Sequence, residues 1–184
     1  MLTACGGNPH VILETDLGPI ELEIFEDKAP LSAGDFLYHV DQGLYTGQGF
    51  YRVVRPDNDP RKMGMALIQG GLLSLVPVTQ AIEHEPTSVT GLSHQDGVIS
   101  IARDGVGTGS AAYFFITVGD NSFLDHGGKR NSDGQGYAAF GQVVAGMDVV
   151  KAIQALDSTG PSEDEVTKGQ YLEKPVSIKT ARRK

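Results

Sequence analysis

The chain has 184 residues, 40% of them hydrophobic and 21% charged, and a formal net charge of −8. That length suits one domain with a substantial core, and the negative charge argues against a protein that grips nucleic acid through phosphates, which needs a basic footprint. No apolar run approaches the roughly 20 residues of a membrane-spanning helix, and a single cysteine, Cys5, leaves no intramolecular disulfide.

With 24 Gly, 9 Pro and no Trp, turns and short strands should outweigh long helices. At the start, Leu2-Thr3-Ala4-Cys5 ahead of a glycine pair resembles a bacterial lipobox. Residues 1–9 are therefore expected to be a flexible segment, the remnant of a lipoprotein leader. Lipidated Cys5 would then tether the protein in the periplasm or cell envelope. A cytoplasmic start with a free thiol is the alternative. One acyl chain gives only marginal membrane binding, so firm anchoring needs more than one. Residues 10–184 form the folded domain.

Val11 to Thr15 is apolar and β-branched, and Ile20, Leu22 and Ile24 alternate with Glu21 and Glu23. This is a strand pair turning at Leu17-Gly18-Pro19. "APLSAGDFLYHVDQG" places Pro30 in a first helical turn and Gly43 at a stop, with Ala33, Phe36, Leu37 and Val40 on one face. "GFYRVVRP" and "MALIQGG" are strands around a polar loop. Residues 72–97 are mostly irregular. "GVISIAR", "AYFFITV" and "YAAFGQVV" are strands, the last preceded by a long turn-rich excursion. "GMDVVKAIQAL" is a short helix with Met147, Val150 and Ile153 on one side. An acidic loop over 157–174 and the strand "KPVSIKT" follow, and the terminal "ARRK" is expected to be solvated. About eight strands and two helices, with no repeat and no linker, fit a closed barrel or a sandwich.

Several familiar chemistries are absent. Gly105, Gly107 and Gly109 are followed by an aromatic strand, not by a helix N-terminus, so a nucleotide loop is not expected. "NSDGQG" lacks the calcium-loop pattern. The five histidines have no metal-ligand spacing, and His84, His94 and His126 lie in polar, turn-rich surroundings that place them on the surface. Neither a metal nor a cofactor is expected. What remains is Arg52 in "FYRVV", Leu67 and Gln69 in "ALIQGG", Tyr113 and Phe115 in "AYFFI", and Phe123-Leu124 in "SFLD". Leu67 and Gln69 share one strand face, as do Tyr113 and Phe115. Two adjacent strands could present them as a mixed polar and aromatic outer surface. The competing assignment puts the aromatics in the core and leaves Arg52 as a surface charge.

At these residues the sequence resembles the cyclophilins, the peptidyl-prolyl cis-trans isomerases, and most of all the bacterial type. The segments that carry the resemblance are "FEDKAPLSAGDFLYHVDQGLYTGQGFYRVV", "IQGG", "GLSHQDGVISIAR", "YFFITVGDNSFLDHG" and "GYAAFGQVVAGMDVV", in the family's order. The resemblance implies a mostly β fold: a closed eight-stranded antiparallel β-barrel capped by two α-helices. It implies rotation of X-Pro bonds in unfolded or flexible segments, with proline-containing polypeptides as partners. Weak binding of cyclosporin-like ligands goes with it, while a monomer is expected from the negative charge and the lack of an obvious apolar patch. A proline-peptide binding module with little turnover is the alternative. Arg52 and Gln69 match catalytic positions. Phe115, Leu124, Leu67, Ala102, Arg103, Tyr113, Phe123 and Tyr137 match substrate-binding ones. Departures are Leu67 for a frequent Met, Tyr113 for Gln, Phe123 for Trp, Tyr137 for His, and Ala66 or Met65 where many members have Phe.

Overall fold

In the computed structural model, residues 7–74 and 80–184 are described. Cys5 and its lipobox-like neighbours lie outside them. Eight strands close on themselves: β1 (His10–Thr15), β2 (Gly18–Ile24), β3 (Gln48–Val54), β4 (Leu67–Gly71), β5 (Val98–Ile101), β6 (Tyr113–Thr117), β7 (Ala138–Ala145) and β8 (Tyr171–Arg183). The order around the barrel is β1-β2-β7-β5-β6-β4-β3-β8, and every pairing is antiparallel.

The first hairpin turns where Leu17-Gly18-Pro19 predicts it. Thr15 Oγ1 donates to the Gly18 carbonyl at 2.7 Å and accepts from the Leu17 N–H at 3.1 Å, which closes the turn locally. Closure uses the far end of the chain as well: β8 pairs with both β1 and β3. The basic end is therefore not a loose tail. It runs on as strand, and Arg183 pairs with Asp41 at 2.7 Å while Lys184 pairs with Glu21 at 2.9 Å. The sequence pattern missed this because the neighbours that order it lie more than a hundred positions away.

Alternation along the strands sorts side chains into two clusters. Phe50, Ile68, Ile99, Phe114 and Phe140 point inside, where Phe36 of helix α1 (Pro30–Asp41) meets Phe114 edge-on at 5.7 Å and Phe140 at 5.2 Å. Burying side chains of this size contributes about 1.5–3 kcal/mol each. Helix α1 packs on β7 and β8, and helix α3 (Met147–Gln154) on β2, β3 and β4. A single-turn helix, α2 (Thr87–Thr90), lies within the stretch expected to be irregular.

A second set of residues points outward. Val54, Leu67, Phe115 and Leu124 join Met65 in a second, smaller buried cluster on the barrel's outer face. The "FF" of β6 is thus divided: Phe114 belongs to the core and Phe115 to the outer surface. The glycine pair that ends β4 is required by the crowding beside it. Gly71 has φ +123, and a Cβ there would meet the Ala112 carbonyl oxygen at 2.0 Å.

Candidate active site

The outer cluster floors a cavity of about 790 Å³ that crosses four neighbouring strands, β6-β4-β3-β8. Tyr51, Arg52, Leu67, Gln69, Tyr113, Phe115 and Tyr171 line it from strands; Met65, Ala102, Arg103, Leu124 and Tyr137 line it from adjoining segments.

Arg52 reaches this surface because β3 breaks its alternation. Phe50 pairs with Gly70 and Arg52 with Gln69, so Tyr51 is bulged and both Tyr51 and Arg52 face outward. The guanidinium is held on amide oxygens. Nη1 donates to Gln69 Oε1 at 2.7 Å, and Nε and Nη2 donate to Gln170 Oε1 at 2.9 and 2.6 Å. Those bonds fix the fork and leave further N–H groups directed at the cavity. Burial lowers the Arg52 pKa from its ordinary value, and nearby Arg130 adds to that; the group stays charged at neutral pH. Gln69 Nε2 donates in turn to the Tyr51 hydroxyl at 3.0 Å, and burial pushes the Tyr51 phenol up to about 12, so it keeps its proton.

Beside this polar wall lies the apolar floor. Phe115 is 3% exposed and meets Tyr137 edge-on at 5.2 Å. Its other face stacks on His94, with ring centroids 5.8 Å apart and planes 19° from parallel. His94 is 0% exposed, which corrects the expectation of a surface histidine. Its Nδ1 bonds Asp125, its Nε2 bonds Ser100 Oγ at 3.0 Å, and its backbone N–H donates to Asp125 at 2.9 Å. Burial alone would raise the Asp125 pKa, but the bonds from His94 and Ser93 outweigh it and hold the carboxyl below its ordinary value. No local pattern in "GLSHQDG" signals this, because the partners come from β5, β6 and Asp125, just past the 3-10 turn Ser122–Leu124.

Nine of the ten residues expected in the site line one cavity: Arg52, Gln69, Leu67, Ala102, Arg103, Tyr113, Phe115, Leu124 and Tyr137. Phe123 does not; it packs against the apolar cluster without lining the cavity. Met65, not Ala66, supplies the side chain at the pocket, since the Ala66 backbone N–H is tied to Asn121 at 3.0 Å just ahead of β4. Tyr51, Arg130, Tyr171 and the loop 161–167 were not foreseen as lining residues, nor Gln170 as the second holder of Arg52.

A closed eight-stranded barrel with an apolar pocket and a fixed arginine on its outer face defines a cyclophilin. The model of the family "cyclophilin type peptidyl-prolyl cis-trans isomerase/CLD" matches residues 10–182, and the chain belongs to that family. It is 36% identical over 178 residues to peptidyl-prolyl cis-trans isomerase A of Dickeya dadantii, covering 94% of this chain and 83% of that protein. It is 31% identical over 173 residues to peptidyl-prolyl cis-trans isomerase B of Escherichia coli, covering 91% of this chain and 98% of that one. Among solved structures, a cyclophilin-type isomerase of Cryptosporidium parvum shares the fold with a TM-score of 0.68 at 20% identity, over 96% of this chain and 97% of that one. The same Cryptosporidium isomerase, crystallised in the presence of the dipeptide Ala-Pro, matches with a TM-score of 0.67 at 21% identity.

Proposed function

We propose that this chain accelerates rotation about X-Pro bonds in flexible polypeptide segments, with Arg52 as the catalytic residue. The observation that carries the proposal is a charged guanidinium fixed by amide acceptors at the edge of a dry apolar pocket. The barrier to rotation, ~18–20 kcal/mol, comes from sharing the nitrogen lone pair with the carbonyl. Twisting the bond breaks that sharing and leaves the nitrogen pyramidal and basic. A donor aimed at the nitrogen then stabilises the twisted state more than either planar isomer. Arg52 offers such N–H groups without reorganising. Phe115, Met65, Leu67, Leu124 and Tyr137 hold the proline ring. Gln69 grips backbone beside it. The Ala102 N–H already donates to the Tyr113 carbonyl at 2.9 Å, so Ala102 anchors a peptide through its carbonyl. The chemistry is a rotation and forms no covalent intermediate.

A protease-coupled assay on a short Ala-Pro peptide tests this. Faster cis-to-trans conversion at catalytic amounts of protein is expected; binding with the uncatalysed rate would make the chain a proline-peptide binding module instead.

Tyr113 borders the same groove opposite Gly71, its hydroxyl 3.5 Å from the Ser74 carbonyl. An amide at this position offers two N–H donors and a separate carbonyl acceptor across the groove, whereas a phenol offers one hydroxyl on a bulky ring. Tyr113→Gln is expected to raise kcat/KM a few-fold, roughly 1 kcal/mol, the size of one ordinary net hydrogen bond. A slower, folded variant would make the tyrosine part of this protein's own substrate recognition.

For location, the proposal rests on Leu2-Thr3-Ala4-Cys5 alone. Mass spectrometry of the protein from its own host is expected to find an acylated N-terminus at Cys5. An unmodified chain beginning at Met1 in the cytosolic fraction would rule this out.

A further inference from the structure

Three guanidiniums line the cavity, and their partners differ. Arg103 is neutralised: it pairs with Asp133 through Nη1 at 2.8 Å and Nη2 at 3.0 Å. Arg52 rests on neutral amide oxygens. Arg130 has no side-chain hydrogen bond or ion pair among the described residues, and its Nε is buried without a partner. A buried N–H left unpaired costs about 1–3 kcal/mol, and no acceptor among the described residues competes with a ligand for this guanidinium.

The segment that carries Arg130 is built to hold it there. Arg103 Nε donates to the Gly136 carbonyl at 2.8 Å, and its fork holds Asp133 in the same loop. From the other side, Arg61 Nη1 donates to the Arg130 carbonyl at 2.8 Å. Arg130 is also near enough for its charge to help lower the pKa of Arg52, the effect of a like charge across a shared site.

Acidic residues line the cavity too, and burial decides between the signs. Asp104, Glu163 and Asp164 are exposed, whereas Arg52 and Arg130 are half-buried. Exposed charges on a rim are screened by water and salt; partly buried ones are screened much less. We propose that Arg130, in the same cavity as Arg52, is an anion-recognising subsite, so that the groove favours segments in which a carboxylate or phosphate side chain adjoins the proline. This rests on the isomerase assignment of the groove. A planar guanidinium matches both anions through charge-assisted N–H···O bonds.

The test uses the whole protein and capped tetrapeptides Ala-Xaa-Pro-Phe in which Xaa is Glu, phosphoserine, Ala or Lys. Dissociation constants are measured by calorimetry, and turnover is measured separately on the Ala peptide. An anionic peptide is expected to bind about tenfold tighter than the Lys peptide, the range of a charge-assisted hydrogen bond. Whichever anion binds tighter identifies the source. Arg130→Gln should shrink that ratio several-fold, and Arg130→Lys should keep most of it. Equal affinities for Glu, phosphoserine and Lys peptides would overturn the subsite, as would a ratio unchanged in folded Arg130→Gln. Absent turnover on the Ala peptide would instead count against the isomerase assignment, and the affinity ratio would still decide the subsite.

Discussion

Arg52→Ala is expected to lower kcat/KM on a short Ala-Pro peptide about a hundredfold, on the order of 2.7 kcal/mol of transition-state stabilisation. The fold should survive, because the side chain lies outside the barrel and contributes nothing to the interior aromatic cluster. Some stability is lost: Gln170 is fully buried and gives up the donors on its side-chain oxygen, a cost of about 1–3 kcal/mol. The loss in rate should fall on kcat more than on KM, since the contact tightens only as the nitrogen pyramidalises. Arg52→Lys separates charge from shape. It keeps a cation but cannot bridge Gln69 and Gln170 with one rigid fork, so it should recover only part of the rate. A folded Arg52→Ala with undiminished kcat would remove Arg52 from the chemistry.

His94→Ala is expected to destabilise the protein by about 2–4 kcal/mol, the range for deleting a large buried side chain whose site cannot collapse. The ring supports Phe115 from beneath and occupies both Ser100 and Asp125. Without it, the Ser100 hydroxyl is left in a dry interior and a void opens under the pocket floor. In a chain of this size that corresponds to a drop in Tm of roughly 5–15 °C. Thermal unfolding followed by circular dichroism measures it. Peptide affinity should fall at temperatures where the variant is still folded, because Phe115 is no longer held on both faces. An unchanged Tm would mean that the His94 contacts carry no net stability.

The strands were legible because their core faces alternate. Leu67 and Gln69 share a face, and so do Tyr113 and Phe115, while Ile68 and Phe114 turn inward. Parity thus grouped the residues by face, but it left open which face was groove and which was core. It failed at β3, where strict alternation puts Tyr51 and Arg52 on opposite faces and a bulge puts them on one. The bulge depends on pairing with β4 and β8, which no local pattern reports. His94 failed for a related reason: its polar neighbours in sequence are not its neighbours in space. Arg130 sits in a turn-rich excursion whose residues carry no period, and the distant residues that help hold it, Arg61 and Arg103 among them, leave no local signal. The family resemblance supplied Ala102, Arg103 and Tyr137, which periodicity could not. Phe123, singled out beside Leu124, packs against the outer cluster and is not among the lining residues.

The central claim is that this groove catalyses rotation and does not merely hold proline. Exchange NMR on an Ala-Pro peptide with substoichiometric protein tests it most directly, because it reports interconversion of the two isomers at equilibrium without a coupling enzyme. Uncatalysed exchange takes tens to hundreds of seconds, so cis–trans cross-peaks should appear only when the protein is present and should fade with Arg52→Ala. Chemical-shift changes that show binding, with no exchange cross-peaks at any protein concentration, would contradict the account.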